Sequence, residues 1–195
     1  MIEIEIKLAW LAPVKDAVLR VEGLGFVASS QRTLEIDQVY DRHDSLRQAN
    51  QLLRVRREQP QGADVSAEAT ITYKGPPEAS RYKKREEVEF VVSDGNNFEL
   101  VLERLGYSRS FRYEKYRTKY RRSSSGLVTL DETPIGVFLE LEGEPGWIDE
   151  TAQQLGFSAQ DYLTASYASL FREYQKQNPG TKPDMTFDLS PGSIR

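Results

Sequence analysis

The chain has 195 residues and a formal net charge of −4, with 38% hydrophobic and 29% charged residues. This length suits one barrel-sized domain rather than two typical ones, and the acidic balance argues against a nucleic-acid or anionic-membrane binder. There is no cysteine and one histidine, His43, so carboxylates remain as the candidate metal ligands. No apolar run reaches membrane-spanning length and the N-terminus lacks a secretory pattern, so we expect a cytoplasmic protein.

The N-terminal segment alternates strictly between aliphatic and charged residues. Residues 2–8 place Glu3, Glu5 and Lys7 on one face of a predicted strand and the aliphatic side chains on the other. Same-face carboxylates on a strand lie only about 6–7 Å apart, so they repel each other unless a cation lies between them. A divalent metal ion would supply that positive charge.

Segments with helical spacing interrupt the predicted strands at 14–24, 94–105 and 149–155. Each ends in Leu-Gly-aromatic, and glycine there fits the left-handed conformation that often terminates a helix. The first two lie between charged alternating strands, which suggests two pseudo-repeated β-α-β halves. We expect a last helix at 161–177 to complete a single domain over residues 1–177. The tail at 178–195 contains several prolines and glycines, and we expect it to be disordered.

The alternation of the first strand recurs at 52–56, 70–74, 85–92, 115–121 and 138–142, so that about six strands show it. The further predicted strands are 33–41, 51–58, 68–74, 84–92, 111–122, 126–131 and 136–143. A half-solvated sheet with mixed charges outside is the simpler interpretation for any single strand. Across the set, however, acids occupy the first and last strands and bases occupy those between. This sorting favours an α+β fold, an eight-stranded antiparallel β-barrel with helices packed on the outside and charges facing a hydrated lumen.

Such a lumen would select a highly charged ligand. Arginines and lysines from different strands can converge on several phosphate oxygens, while acids at one side bind a metal ion that bridges the same phosphates. Carboxylate oxygens suit hard ions such as Mg²⁺ or Mn²⁺. The combination fits a triphosphate. The alternative is that these charges only pair with one another, as buried charges must do whether or not a ligand binds.

The pattern Glu3-x-Glu5-x-Lys7 resembles the ExExK signature of the CYTH superfamily, the triphosphate tunnel metalloenzymes. The resemblance covers about residues 1–175 and continues in order through Val39-Tyr40-Asp41, Leu53-Arg54-Val55-Arg56, Thr72-Tyr73-Lys74-Gly75, Arg85-Glu86-Glu87-Val88-Glu89, Lys115-Tyr116-Arg117, Leu130-Asp131 and Leu139-Glu140-Leu141-Glu142. It implies an eight-stranded tunnel that holds a divalent metal ion through Glu3, Glu5 and Glu140, with these three residues and Lys7 as the catalytic set. The implied triphosphate ligands are Lys7, Arg54, Arg56, Lys74, Lys115 and Arg117. The implied supporting acids are Glu87, Glu89, Asp131 and Glu142.

The stretch from Leu130 to Glu140 resembles the class IV adenylyl cyclase branch of this superfamily, which implies conversion of ATP to cyclic AMP and pyrophosphate. Hydrolysis of inorganic tripolyphosphate, thiamine triphosphate or a nucleoside triphosphate is the alternative, because it needs the same cations. A non-catalytic polyphosphate or nucleotide binder is a second alternative. A cyclase must also hold the base, for which a phenylalanine, a tyrosine or Trp10 near a tunnel mouth is a candidate. Trp10 follows the first strand, so a core or lid position is an equally good prediction for it. We expect a monomer or homodimer whose partner is a small-molecule triphosphate, without nucleic acid or membrane.

Overall fold

The structure is a computed structural model, and it describes residues 1–187. In chain order its elements are β1 (Ile2–Trp10), α1 (Val14–Gly23), β2 (Val27–Ala28), β3 (Thr33–Asp41), α2 (Ser45–Gln48), β4 (Leu52–Pro60), β5 (Ala69–Lys74), β6 (Lys83–Val92), α3 (Gly95–Arg104), β7 (Ser108–Arg121), β8 (Gly126–Thr133), β9 (Gly136–Gly143), α4 (Pro145–Leu155), a short 3₁₀ helix (Ala159–Asp161) and α5 (Tyr167–Gln177).

Eight strands form a closed antiparallel barrel, as the sequence predicts. Their order around the barrel is β7-β3-β4-β5-β6-β1-β9-β8, and β8 pairs back to β7 to complete the ring. The two-residue strand β2 pairs only with the end of β7, where Val27 lies opposite Arg121. The sequence does not predict β2, because two residues are too short to show a periodic pattern.

The aliphatic faces of the strands point outward, and those of β1, β4, β5, β8 and β9 pack against helices, whereas Val88 and Phe90 of β6 are about half exposed. Ile6, Leu8 and Leu139 are fully buried in a cluster that includes Val21 of α1 and Ile148 of α4. A second cluster joins β4 and β5 to α3. Because the apolar sides of the strands are satisfied outside the barrel, their charged sides are left to line its interior.

The helices confirm the predicted glycine terminators and correct two predicted starts. Gly25, Gly106 and Gly156 all have positive φ, at 82°, 85° and 97°. The helix predicted from Asp149 begins four residues earlier, because Pro145 suits a first helical position. The last helix begins at Tyr167 rather than at residue 161: the Ser166 side chain accepts a hydrogen bond from the Ser169 backbone N–H and caps it.

The predicted disorder from Asn178 onward is wrong for residues 178–187. Met185 is only 1% exposed, and its backbone N–H donates to the Arg112 carbonyl at 3.0 Å. Its carbonyl accepts from the Glu114 N–H at 2.9 Å, so this segment runs beside β7. Proline and glycine content suggested disorder, but Met185 provides an apolar anchor that composition does not reveal. Residues 188–195 of the predicted tail lie outside the described residues.

The interior of the barrel has two chemically different parts. One part is lined by charged side chains and encloses a cavity. The other is filled by an apolar cluster, which we call the floor, made of Tyr113, Phe138, Tyr167, Phe171 and Met185. Across residues 1–187, none of the helices combines the length and apolar character that a membrane span requires.

Candidate functional site in the barrel interior

The charged part of the interior is a cavity of about 570 Å³ to which seven strands contribute side chains around its wall. Every site residue predicted from the sequence lines it, with the exception of Asp131. The cavity opens at a mouth bordered by Met1, Leu52, Val88 and Leu127. The predicted site residues, which are far apart in the chain, are therefore brought together around one space.

One side of the cavity, which we call the base wall, is built from β3, β4, β7 and β8. The Arg56 Nε donates to Asp37 Oδ1 at 2.8 Å, and the Arg54 Nε lies 3.3 Å from the same oxygen. The second guanidinium nitrogen of Arg56 lies 3.1 Å from Glu35 Oε2. Both acids belong to β3, and their direct contacts hold the two arginines of β4 in place.

Asp131 on β8 holds the other half of the base wall together. It is fully buried and accepts hydrogen bonds from Lys115 Nζ at 3.0 Å, Arg117 Nε at 2.6 Å and the Tyr167 hydroxyl at 2.6 Å. Arg117 also contacts Glu140. Asp131 therefore lies behind the lining and orients the cations that face the cavity.

The opposite side, which we call the acid wall, is built from β1, β5, β6 and β9. Glu3 accepts from Lys74 Nζ at 2.6 Å, and Glu5 accepts from Lys83 Nζ at 2.7 Å. Lys7 lies between two carboxylates, with its Nζ 3.4 Å from Glu5 and 3.0 Å from Glu140. This register follows from strand pairing, since Lys7 lies directly opposite Glu140 on β9.

The remaining predicted acids lie toward the mouth. Glu87 is 3.3 Å from Lys74 Nζ, and the half-exposed Glu89 side chain accepts from the Thr72 hydroxyl at 2.9 Å. Glu142 lies opposite Glu5 in the strand pairing. Carboxylates are thus concentrated on the half of the acid wall that is nearer to solvent.

The pKa shifts reveal where negative charge exceeds its compensation. Burial raises the pKa of Glu3 to about 7, and the neighbouring Glu5 adds to the rise. Burial, with Glu5 again beside it, also raises the pKa of Glu142. Deeper in the cavity burial acts in the same direction on Glu140, but Arg117 and Lys7 outweigh it and hold the pKa of Glu140 well below its ordinary value.

The carboxylates of the acid wall are suitable ligands for a hard divalent ion, although lysine side chains contact them in this structure. Glu3, Glu5 and Glu140 supply carboxylate oxygens, the ligands that Mg²⁺ and Mn²⁺ prefer. Within residues 1–187 no group of three or more acidic or histidine side chains is already arranged around a metal position. Each of the three carboxylates is paired with a lysine or arginine, so ligation requires Lys7, Lys74 and Lys83 to turn toward another anion.

The sequence prediction missed several polar and charged residues of the barrel interior, some of which line the cavity and others of which lie behind its lining. Lys83 and Arg85 lie on β6, within the acid wall, and line the cavity. The predicted strand began at Lys84, which excluded Lys83. Glu35 and Asp37 alternate with Leu34 and Ile36, so the test applied to the first strand would have found them. Tyr167 had no such signal, because it reaches the cavity from a helix.

Trp10 lies in the core and does not line the cavity, so of the two alternatives from the sequence the structure favours the core position over contact with a base. Its ring packs 6.0 Å from the ring of Phe157, against the cluster that joins β1 to α1 and α4. Trp10 is the last residue of β1, and the alternation of that strand gives it an outward direction, as for Ile6 and Leu8.

The closed eight-stranded antiparallel barrel with charged walls around one interior cavity matches the CYTH tunnel fold. A family model described as the CYTH domain matches residues 1–167, and the chain belongs to the CYTH domain family. Enzymes of this family act on triphosphates with the help of divalent metal ions, as the sequence resemblance implies.

Three similar proteins illustrate the match. A protein of Methanocaldococcus jannaschii named "putative adenylate cyclase" is 28% identical over 151 residues, which are 77% of this chain and 81% of the relative. The structure of a "putative adenylate cyclase" from Vibrio parahaemolyticus has a TM-score of 0.74 at 21% identity, covering 88% of this chain and 98% of the other. A Hippeastrum protein, described as a "putative adenylyl cyclase" with a dominant triphosphatase activity, has a TM-score of 0.64 at 21% identity, covering 88% and 96%.

Proposed function

We propose that this protein is a divalent-metal-dependent enzyme that binds a triphosphate in the barrel and cleaves one of its phosphorus–oxygen bonds. The observation that supports this most strongly is the meeting of two opposed walls in one cavity. A simple anion binder would need the base wall alone, whereas Glu3, Glu5 and Glu140 add a set of metal-compatible donors beside the cations. The proposed triphosphate ligands are Lys7, Arg54, Arg56, Lys74, Lys115 and Arg117.

The cations act in this proposal by exchanging partners. In the ligand-free protein they contact carboxylates, and a bound triphosphate offers oxygens of the same geometry at higher charge. Arg54 and Arg56 present planar guanidinium groups, while Lys7 and Lys115 act as point charges deeper in the cavity. When bound, the metal ion supplies further positive charge to the phosphoryl oxygens. The residues of the walls then stabilise charge that develops at the reacting phosphorus.

Hydrolysis is the reaction that the cavity favours. A cyclase has to hold the base firmly enough to align the ribose hydroxyl with the α-phosphorus. The aromatic residues that line the cavity, within the part of the chain that is described, are Tyr113 and Tyr167, and both belong to the floor. At the mouth a base would meet the aliphatic side chains of Leu52 and Leu127. Water needs no such platform, so triphosphate hydrolysis is the simpler chemistry here.

Adenylyl cyclase activity is the second candidate, and it is favoured by the name of the Methanocaldococcus jannaschii relative. The Hippeastrum protein shares the fold and is described with triphosphatase activity, so this fold accommodates that reaction. Cytoplasmic location and a monomeric or homodimeric state stay predictions from the sequence.

Phosphorus NMR separates these reactions. The protein is incubated with ATP, tripolyphosphate or thiamine triphosphate, each with Mg²⁺ or Mn²⁺. Release of orthophosphate supports the triphosphatase, cyclic AMP with pyrophosphate supports the cyclase, and inertness in every mixture contradicts the proposed enzyme. Lys74→Ala should abolish most turnover, whereas Lys84→Ala is the matched control, since Lys84 lies outside the cavity on β6 and pairs with Glu78 at 2.8 Å.

A further inference from the structure

The two ends of the cavity differ in their exposure to solvent. Met1, which precedes β1 at the mouth, is 94% exposed, while Lys7 of β1 at the other end of the cavity is 2% exposed. Val88, which also borders the mouth, is 48% exposed. Lys115, which lies on the opposite wall at the level of Lys7, is again only 2% exposed. Solvent therefore reaches the cavity from the side of the mouth.

Aromatic and aliphatic side chains fill the barrel beyond the deepest charged residues. The positions that follow in the inward alternation of the strands are Ala9 on β1, Tyr113 on β7 and Phe138 on β9, and all belong to or pack against the floor. The Tyr167 ring centroid lies 5.6 Å from that of Phe138 and 6.1 Å from that of Tyr113. The floor is therefore a continuous apolar layer across the barrel.

The segment leading into α5 and the C-terminal segment keep this layer in place. Leu163, just before α5, exchanges two backbone hydrogen bonds with Lys7, each of 2.9 Å. Phe171, one helical turn beyond Tyr167, is buried, and its ring centroid lies 5.9 Å from that of Phe111. Met185 covers the same cluster from the C-terminal segment. These attachments come from different parts of the chain, so the floor is anchored on several sides.

Tyr167 is the residue of the floor that meets the charged cavity. Its ring centroid lies 5.2 Å from Lys7 Nζ and 5.0 Å from Lys115 Nζ. Its hydroxyl donates to Asp131, which orients Lys115 and Arg117. A phosphoryl group held by these two lysines would therefore have the phenol ring directly behind it, with no space for a substituent on its far side.

We propose that the barrel is a blind pocket with a single mouth, and that Tyr167 is a specificity-determining residue that requires the innermost phosphate to be a chain end. This inference rests on the proposed function and adds a statement of which triphosphates the pocket can bind. A triphosphate enters end first, any substituent stays at the mouth, and a triphosphate substituted at both ends is rejected. Products leave by the same mouth.

Calorimetric binding in EDTA tests this statement without turnover. The probes are tripolyphosphate, ATP and diadenosine triphosphate, which carry substituents on no end, one end and both ends. ADP serves as a control that matches the charge of the doubly substituted compound. We expect diadenosine triphosphate to bind at least about 100-fold more weakly than ATP and clearly more weakly than ADP, because steric exclusion of a wrong ligand is not offset by its other contacts.

The outcomes separate this inference from the proposed function. If neither tripolyphosphate nor ATP binds, the proposed function fails. If both bind and diadenosine triphosphate binds within tenfold of ATP, the pocket is not blind and this inference alone is overturned.

Variants of Tyr167 test its part in the selection. A methyl ester on the γ-phosphate of ATP is small enough to occupy the space that Tyr167→Ala creates. We expect the preference for ATP over this ester to narrow about tenfold in Tyr167→Ala, in the range that one small group in a fitted pocket contributes. Tyr167→Phe keeps the ring and should keep the full preference. An unchanged preference in Tyr167→Ala would overturn the role of this residue. If that variant fails to fold, the comparison of wild-type ligands still decides whether the pocket is blind.

Discussion

The base wall and the acid wall differ in how fully neighbouring cations compensate their buried carboxylates. On the base wall, Asp37 and Asp131 are fully buried and each is shared between two cations. On the acid wall, Glu3 has a pKa raised to about 7 although Lys74 contacts it. Glu142, on the neighbouring β9, also has a raised pKa.

This difference indicates different roles for the two walls. The charges of the base wall are compensated within the protein, so that wall holds the shape of the cavity before any ligand binds. On the acid wall, Lys7 and Lys83 hold the pKa of Glu5 below its ordinary value, but the negative charge around Glu3 and Glu142 is less fully compensated, and a divalent ion would supply positive charge there. Removing a carboxylate should therefore destabilise the protein much more on the base wall than around Glu3 on the acid wall.

The largest effect is expected from Asp131→Asn on the base wall. The change leaves Lys115 and Arg117 without the carboxylate that they share. Breaking a buried ion pair in this way should lower the free energy of unfolding by about 3 to 5 kcal/mol. Urea unfolding followed by circular dichroism measures it. Glu132→Gln on the same strand is the control, since its pair with Arg32 is partly exposed and should contribute less than about 1 kcal/mol. Equal effects of the two changes would show that Asp131 does not hold the wall together.

The next largest effect is expected on catalysis, from Glu5→Gln on the acid wall. We expect kcat to fall by about 100-fold or more, because a preorganised charge at the reacting group is removed. Triphosphate affinity measured in EDTA should remain substantial, since the base wall is intact. Glu86→Gln, at an exposed position on β6, is the control. Full activity of Glu5→Gln with either Mg²⁺ or Mn²⁺ would remove Glu5 from the predicted metal ligands.

Arg54→Ala on the base wall should weaken substrate binding more than it slows the chemical step, in contrast to Glu5→Gln. Arg54 donates to the Thr72 hydroxyl at 2.9 Å and lies beside Asp37, so its position is fixed before substrate arrives. We expect KM to rise about tenfold with a smaller change in kcat, as for the loss of a contact made in both ground and transition states. Steady-state kinetics with the active triphosphate provides the measurement. A fall in kcat at unchanged KM would instead place Arg54 in the chemical step.

The sequence predicts the walls well because each wall residue belongs to an alternating strand. Lys115 and Arg117 face inward for the same reason that Tyr116 faces outward, and the alternation shows this directly. The floor could not be predicted in this way. Tyr167 and Met185 lie outside the barrel strands, and their contacts depend on where α5 and the following segment dock. Local periodicity carries no information about such docking.

The smallest effect on stability is expected from Glu3→Gln on the acid wall. Because burial already disfavours the charged form of Glu3, replacing it with an amide should change the free energy of unfolding of the metal-free protein by less than about 1 kcal/mol. Added Mn²⁺ should raise the melting temperature of the wild-type protein, since a ligand that binds only the folded state stabilises it. The rise should be smaller in Glu3→Gln, which lacks one predicted ligand. Differential scanning calorimetry with and without Mn²⁺ measures both effects. If Glu3→Gln destabilises the metal-free protein as strongly as Asp131→Asn, the acid wall is compensated like the base wall and has no unmet demand for a cation.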